Sequence, residues 1–237
     1  MKIHNSVAFV TGANRGLGLA LVRELIERGA KKVYAGMRNP VPLDMVGVEV
    51  IRLDVTDLAS IVTAADQCGD TGILVNNAGI GRITNSTLEP EMIESARELF
   101  ETNFYGVIRM CQAFAPALAQ NGGGAIINVL SNATWLSVPQ LAAYAATKSA
   151  AWSFTNALRV ELRKSRTQVL GLHVGFMDTD MTRGLDLPKV SPTDVSVQTF
   201  DALEANAEEV LADEGTRAIN LSLANEDSLY LNPPDLA

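Results

Sequence analysis

The sequence is poor in metal-binding side chains. Its 237 residues include two histidines, His4 and His173, and two cysteines, Cys68 and Cys111. These are too few and too far apart along the chain to suggest a zinc-type site. Isolated cysteines in a chain with no export signal are expected as reduced core thiols rather than a disulfide. Basic residues are also scarce, with 19 Lys and Arg against 27 Asp and Glu and a net charge of −8. That balance argues against nucleic acid and anionic membranes as partners. No apolar run reaches the ~18 residues of a membrane span. The first residues read as a strand rather than a signal peptide, so a cytoplasmic location is expected. Charged residues make up only 19% and hydrophobic ones 47%, which excludes a disordered chain. No linker, repeat or low-complexity tract divides the sequence, so residues 1–237 are expected to form a single domain.

Apolar runs alternate with stretches of helical periodicity. Strands are expected at residues 6–10, 32–37, 48–53, 72–79 (broken by Asn76-Asn77 and Gly79), 122–130 and 168–174. Helices are expected at 19–28, 58–65, 89–119 (ending about Pro116), 143–163, 193–211 and 214–223. This order implies an α/β fold: a doubly wound parallel sheet of six or seven strands with helices on both faces. Residues 182–211 are expected to form the region of a substrate loop, and 224–237 an irregular tail. A seventh strand has one weak candidate, Ser228–Leu231, around Tyr230.

The first strand runs into Thr-Gly-Ala-Asn-Arg-Gly-Leu-Gly, residues 11–18, and then an amphipathic helix. In that context the glycines have distinct uses. Gly12 permits the tight turn, Gly16 lets a diphosphate approach the backbone, and Gly18 lets helix and strand pack closely. The N-terminus of the helix then offers free N–H groups and a positive dipole end to the phosphates.

A second constellation follows the fifth strand. Tyr144 lies 13 positions after Ser131, and Lys148 lies 4 after Tyr144. Four residues are about one helical turn, so Tyr144 and Lys148 share a face. Free tyrosine, with a pKa of about 10, is a poor proton donor or acceptor at neutral pH. An ammonium group one turn away would lower that pKa, and a serine hydroxyl could hold a substrate oxygen at the phenol.

Together these motifs resemble the short-chain dehydrogenase/reductase family, over about residues 5–181. The match comprises the phosphate loop 11–18, Asp54 in Leu-Asp-Val, Asn76-Asn77-Ala78-Gly79, Asn103, the Ser131–Tyr144–Lys148 spacing and Thr179. The resemblance implies hydride transfer between NADP(H) and an alcohol or carbonyl compound, as in carbonyl reductases. Tyr144 would exchange the proton, Ser131 would hold the carbonyl oxygen, and Lys148 would tune Tyr144 and hold the nicotinamide ribose. Asn103 would order water behind Lys148. The cofactor would be held by Gly12, Asn14, Arg15, Gly16, Leu17, Gly18, Arg38, Asp54, Val55, Asn76, Asn77, Ala78 and Gly79. Tyr144, Lys148, Gly175, Met177 and Thr179 complete that set. The end of the second strand carries Met37 and then Arg38 where NAD-specific relatives place an acid. Arg15 and Arg38 are therefore expected to clamp the 2′-phosphate of NADPH. Trp135 and Met181 are expected to join Ser131 and Tyr144 around the substrate, with Ile80, Leu136, Val138 and Met177 as further apolar wall. The family pairs the helices 89–119 and 143–163 across a two-fold axis. This implies a homodimer here, with a tetramer as the larger option and Leu99, Phe100, Val107 and Phe114 offering apolar area. The alternatives are an NAD-linked alcohol dehydrogenase and a cofactor-binding regulator that has lost catalysis.

Overall fold

Seven strands form one sheet in the order β3-β2-β1-β4-β5-β6-β7, and every neighbouring pair is parallel. They are β1 (Val7–Thr11), β2 (Lys32–Met37), β3 (Val48–Arg52), β4 (Ile73–Asn76), β5 (Gly124–Val129), β6 (Thr167–His173) and β7 (Glu209–Leu211). The helices are α1 (Gly16–Glu27), α2 (Leu58–Gln67), α3 (Met92–Phe100), α4 (Gly106–Gln120), α5 (Ala142–Glu161), α6 (Pro192–Glu204) and α7 (Glu214–Ser222). The structure is a computed structural model that describes residues 1–233.

Side chains alternate across the strands, so the sheet has an apolar layer on each face. On one face Ala8, Val10, Val33 and Ile127 pack under Leu21 and Leu25 of α1 and Phe200 and Leu203 of α6. On the other, Phe9, Leu74 and Ile126 pack under Ile61 of α2, Met110 and Phe114 of α4, and Leu158 of α5. Cys68 and Cys111 are free and buried in this second layer, and burial pushes both thiols up to about 12. Among the described residues no helix is long and apolar enough to cross a membrane.

Four expectations change here. The helix expected at 89–119 is divided by a π-helical turn at Glu101–Tyr105 and continues to Gln120, past Pro116. Pro116 is tolerated because it and Gln112, whose carbonyl it leaves unpaired, both lie on the exposed side. Phe114 and Leu118 anchor the helix on either side of it. The seventh strand is not at Ser228–Leu231, where the chain turns, but at Glu209–Leu211 beside β6. The helix expected over 193–211 accordingly stops at Glu204. Asn206 takes the left-handed conformation (φ +60°) that ends a helix and redirects the chain into β7. The tail expected at 224–237 is irregular as far as it is described; residues 234–237 lie outside the described residues. Finally, Leu99, Val107 and Phe114 are buried within the subunit, Val107 and Phe114 in the second apolar layer, so they offer no area to a partner.

Candidate active site

The strand order reverses between β1 and β4, and ligands of open α/β sheets bind outside the strand ends at such a point. A cavity of about 620 Å³ opens there, and the C-terminal ends of β1, β4, β5 and β6 feed residues into its wall. Its lining includes the predicted Gly12, Asn14 and Arg15 of the loop before α1 and Gly16, Leu17 and Gly18 of its first turn. Arg38, Asp54, Val55, Asn77, Ala78, Gly79, Ser131, Tyr144, Lys148, Gly175, Met177, Thr179 and Met181 also line it. Residues spread over 170 positions (181 − 12 + 1) thus meet in one cleft.

The phosphate loop has the geometry its glycines require. Gly12 sits at φ +66°, a left-handed turn that a side chain would strain. At Gly18 a Cβ would lie 2.1 Å from the Gly12 carbonyl oxygen, a clash no rotamer relieves. Asn77 locks the same turn: its amide donates to the carbonyls of Thr11 and Gly12, at 2.9 and 3.2 Å. The first-turn N–H groups of α1, which a helix cannot pair internally, lie at the cavity wall. A backbone held this close to an anion-binding helix end fits a dinucleotide diphosphate.

At the adenosine end, Asp54 is anchored by the Thr56 N–H and hydroxyl, at 2.9 and 2.7 Å. Burial would raise its carboxyl, but those hydrogen bonds and the charge of Arg38 hold it below the usual range. Met37 is buried in the core, so the side chains that reach the cavity at the end of β2 are those of Arg38 and Asn39. The position that could discriminate between cofactors is therefore Arg38. Arg15 also lines the cavity, but its guanidinium is paired with Asp180 at 2.8 Å. Asp180 in turn meets Arg183. Of the two expected clamp residues, Arg15 is thus already engaged, and Arg38 has no hydrogen-bond or ion-pair partner among the described residues.

Ser131, Tyr144 and Lys148 converge from two elements. Ser131 follows β5 in extended conformation, its Oγ accepting from the Ala133 N–H at 3.1 Å. Tyr144 and Lys148 stand on α5, with the Lys148 ammonium 5.6 Å from the centre of the Tyr144 ring. Lys148 Nζ donates to the Val129 carbonyl at 2.9 Å. The proton energetics differ from the expectation that Lys148 lowers the Tyr144 pKa. Burial raises the phenol, and the opposing influence is the Ser131 hydroxyl. Burial also brings Lys148 down to about 8, which weakens the charge it can offer.

Three predicted residues stand outside the cavity lining. The Asn76 amide donates to Asn128 Oδ1 at 2.8 Å and to Cys111 Sγ at 3.3 Å, binding β4 to its neighbours. The buried Asn103 side chain clamps Ile80: it accepts from the Ile80 N–H and donates to the Ile80 carbonyl, both at 2.9 Å. It also reaches Thr147 Oγ1 at 3.2 Å. The π-helical turn that carries Asn103 is what aims it there. Trp135 turns away from the cleft, its indole stacked on the His173 ring at 4.1 Å. Of the further wall residues, Ile80 and Met177 line the cavity and Leu136 and Val138 do not. Sequence reasoning missed Gln140, Phe176, Leu185 and Leu187, which do. Phe176 adjoins the expected Gly175 and Met177, a proximity that could have flagged it.

The chain matches the family described as short chain dehydrogenase over residues 6–189. The 1-deoxy-11-beta-hydroxypentalenate dehydrogenase of Streptomyces exfoliatus is 33% identical over 214 residues, covering 85% of this chain and 78% of that protein. A short chain dehydrogenase from Burkholderia cenocepacia, solved in complex with NADP, is 38% identical with a TM-score of 0.91, covering 95% of both chains. An NADPH-bound carbonyl reductase from chicken fatty liver is 29% identical with a TM-score of 0.78, covering 88% of this chain and 94% of that one.

Proposed function

The chain belongs to the short-chain dehydrogenase/reductase family of oxidoreductases, and from that premise we propose that it reduces a ketone or aldehyde with NADPH, Tyr144 serving as general acid. The observation that carries this reading is the convergence of Ser131, Tyr144 and Lys148 on the cavity that also receives the phosphate loop. The relatives solved with NADP and NADPH support the choice of cofactor.

Gly12, Gly16, Leu17 and Gly18 would hold the diphosphate, Asp54 and Val55 the adenine, Arg38 the 2′-phosphate, and Lys148 and Thr179 the nicotinamide end. A bound NADPH supplies the hydride. Ser131 orients the carbonyl oxygen towards the phenol, and Tyr144 delivers the proton that makes it a hydroxyl. Burial keeps the phenol protonated, and the Ser131 hydroxyl works against that upward shift. The Ser131 hydroxyl, the influence that lowers the phenol, stabilises the phenolate left behind. In the reverse direction the same phenolate takes the alcohol proton. Asn103 fixes the Ile80 wall through its two backbone hydrogen bonds.

The substrate end is lined by Ile80, Leu141, Phe176, Met177, Met181 and Leu185. Such a surface favours a largely apolar carbonyl compound. The test is carbonyl-dependent oxidation of NADPH across ketones and aldehydes of increasing apolar bulk.

A homodimer across the faces of α4 and α5 is part of the same reading. With Leu99, Val107 and Phe114 committed to the core, the apolar groups left on this side are the exposed Tyr105 and Val160, with the half-buried Phe100 and Phe104 beside Tyr105. A self-complementary patch of this kind suits a two-fold assembly. Light scattering at micromolar concentration is expected to give twice the monomer mass; the monomer mass would refute the dimer.

A further inference from the structure

His173, at the end of β6, is fully buried and lies outside the cavity lining, yet it touches the residue that carries a catalytic hydroxyl. Its Nδ1 is 3.2 Å from the Ser131 carbonyl oxygen, and its Nε2 is 2.7 Å from Glu209 Oε2. A carbonyl can only accept, so Nδ1 is the donor there. One proton then lies between Nε2 and the Glu209 carboxylate. Arg159 donates to the other Glu209 oxygen, Oε1, at 2.8 Å. Burial would raise the Glu209 carboxyl, but His173 and Arg159 outweigh it and hold it below its usual range.

The chain of contacts begins and ends on catalytic elements. Arg159 lies on α5, the helix that carries Tyr144 and Lys148. Ser131 lies on the segment after β5. Ser131–His173–Glu209–Arg159 therefore ties the serine segment to the tyrosine helix by a route outside the cleft. Space is cleared for it: a Cβ on Gly171 would lie 2.7 Å from Glu209 Oε2. Trp135, on the same segment as Ser131, covers the imidazole face, and its ring meets Trp152 of α5 at 5.9 Å.

We propose that His173 and Glu209 are positioning residues for the Ser131 hydroxyl, the imidazole fixing the backbone from which that hydroxyl projects. The inference rests on the catalytic reading of Ser131 given above. A serine on a fixed backbone keeps one torsion with three staggered positions. The Ala133 N–H on Oγ selects among them, and the Thr134 N–H joins His173 on the Ser131 carbonyl, at 3.1 Å. Removing the imidazole, or the charge behind it, takes one of the two donors from that carbonyl and loosens the Ala133 hydrogen bond. Two other acids lie close by, and neither hydrogen-bonds His173. Asp213 accepts from the Gly175 N–H at 2.7 Å and from Thr216, and the Glu208 carboxylate is 3.9 Å from Arg159.

Two measurements test the proposal, and one needs neither substrate nor cofactor. Glu209→Gln, His173→Leu and the control Glu208→Gln are compared with the wild type by amide hydrogen exchange. Glu209→Gln and His173→Leu should exchange the Ala133 amide about tenfold faster or more, as in local opening, while Val10 in β1 keeps its rate. Glu208→Gln should match the wild type throughout. In the second measurement, kcat for carbonyl reduction should fall about tenfold in the first two variants with NADPH affinity unchanged, because Ser131 serves the carbonyl and not the dinucleotide. Wild-type exchange at Ala133 in Glu209→Gln overturns the proposal, as does unchanged kcat in a variant whose Ala133 amide has been freed. Glu209 is partly exposed at the sheet edge, so its isosteric variant decides the matter even if His173→Leu does not fold. If the wild type turns over no carbonyl compound, the catalytic reading fails, and the exchange at Ala133 still decides whether His173 and Glu209 hold Ser131.

Discussion

Tyr144→Phe is expected to lower turnover by roughly 10²–10⁴-fold, the usual worth of a positioned general acid, and to leave NADPH binding close to the wild-type level. The substitution keeps the ring that packs at the cavity wall and removes only the hydroxyl. Ser131 and Lys148 remain, so a substrate carbonyl can still be held, but no group in the structure replaces the proton at that point. The change should therefore fall in kcat, with the KM for NADPH little altered. Steady-state kinetics with titration of NADPH fluorescence checks both halves. Near-normal turnover in Tyr144→Phe would remove Tyr144 from the mechanism.

The second large effect concerns the adenosine ribose. The wild type is expected to prefer NADPH to NADH by more than tenfold in kcat/KM, and Arg38→Asp is expected to reverse that order. The side chains at the end of β2 that reach the cavity are Arg38 and Asn39, so no acid there repels a 2′-phosphate or claims the ribose hydroxyls. A charge-assisted hydrogen bond contributes about 1.5–3 kcal/mol. Arg38 is exposed, and solvent screening moves its contribution towards the lower end of that range, which still corresponds to about tenfold. Arg15 adds to the preference only by exchanging Asp180 for the phosphate. Equal kcat/KM with the two cofactors at one salt concentration would contradict this account of Arg38.

The parts of the molecule that were legible in the sequence are those whose causes are local. Strand, glycine turn and helix at residues 7–27 follow from neighbouring residues, and so does the Tyr144–Lys148 stack on one helical face. The cleft follows from the parallel strand order, which the alternation of strands and helices already implied. What escaped depends on partners far away in the chain. β7 is three residues long and begins with an acid, a poor strand signal. Its Glu209 finds its partners in His173, 36 positions away, and Arg159, 50 positions away. Arg15 reads as a phosphate ligand until Asp180, 165 positions on, takes its guanidinium. Trp135 reads as a wall of the substrate pocket until His173 offers its ring a stacking face. Leu99, Val107 and Phe114 read as partner-facing because periodicity marks an apolar face without saying whether the subunit's own core or a second subunit covers it.

The central claim is that this cleft transfers hydride to a carbonyl carbon while Tyr144 protonates the oxygen. It is tested most directly by incubating the protein with NADPH deuterated at C4 of the nicotinamide and a series of apolar ketones and aldehydes, then analysing products by mass spectrometry. The account predicts loss of NADPH absorbance that depends on the carbonyl compound, with deuterium on the carbinol carbon of the product and label transfer slowed by roughly 10²–10⁴-fold in Tyr144→Phe. Tight NADPH binding with no turnover of any ketone, aldehyde or alcohol would contradict it, and would mark the protein as a cofactor-binding regulator instead.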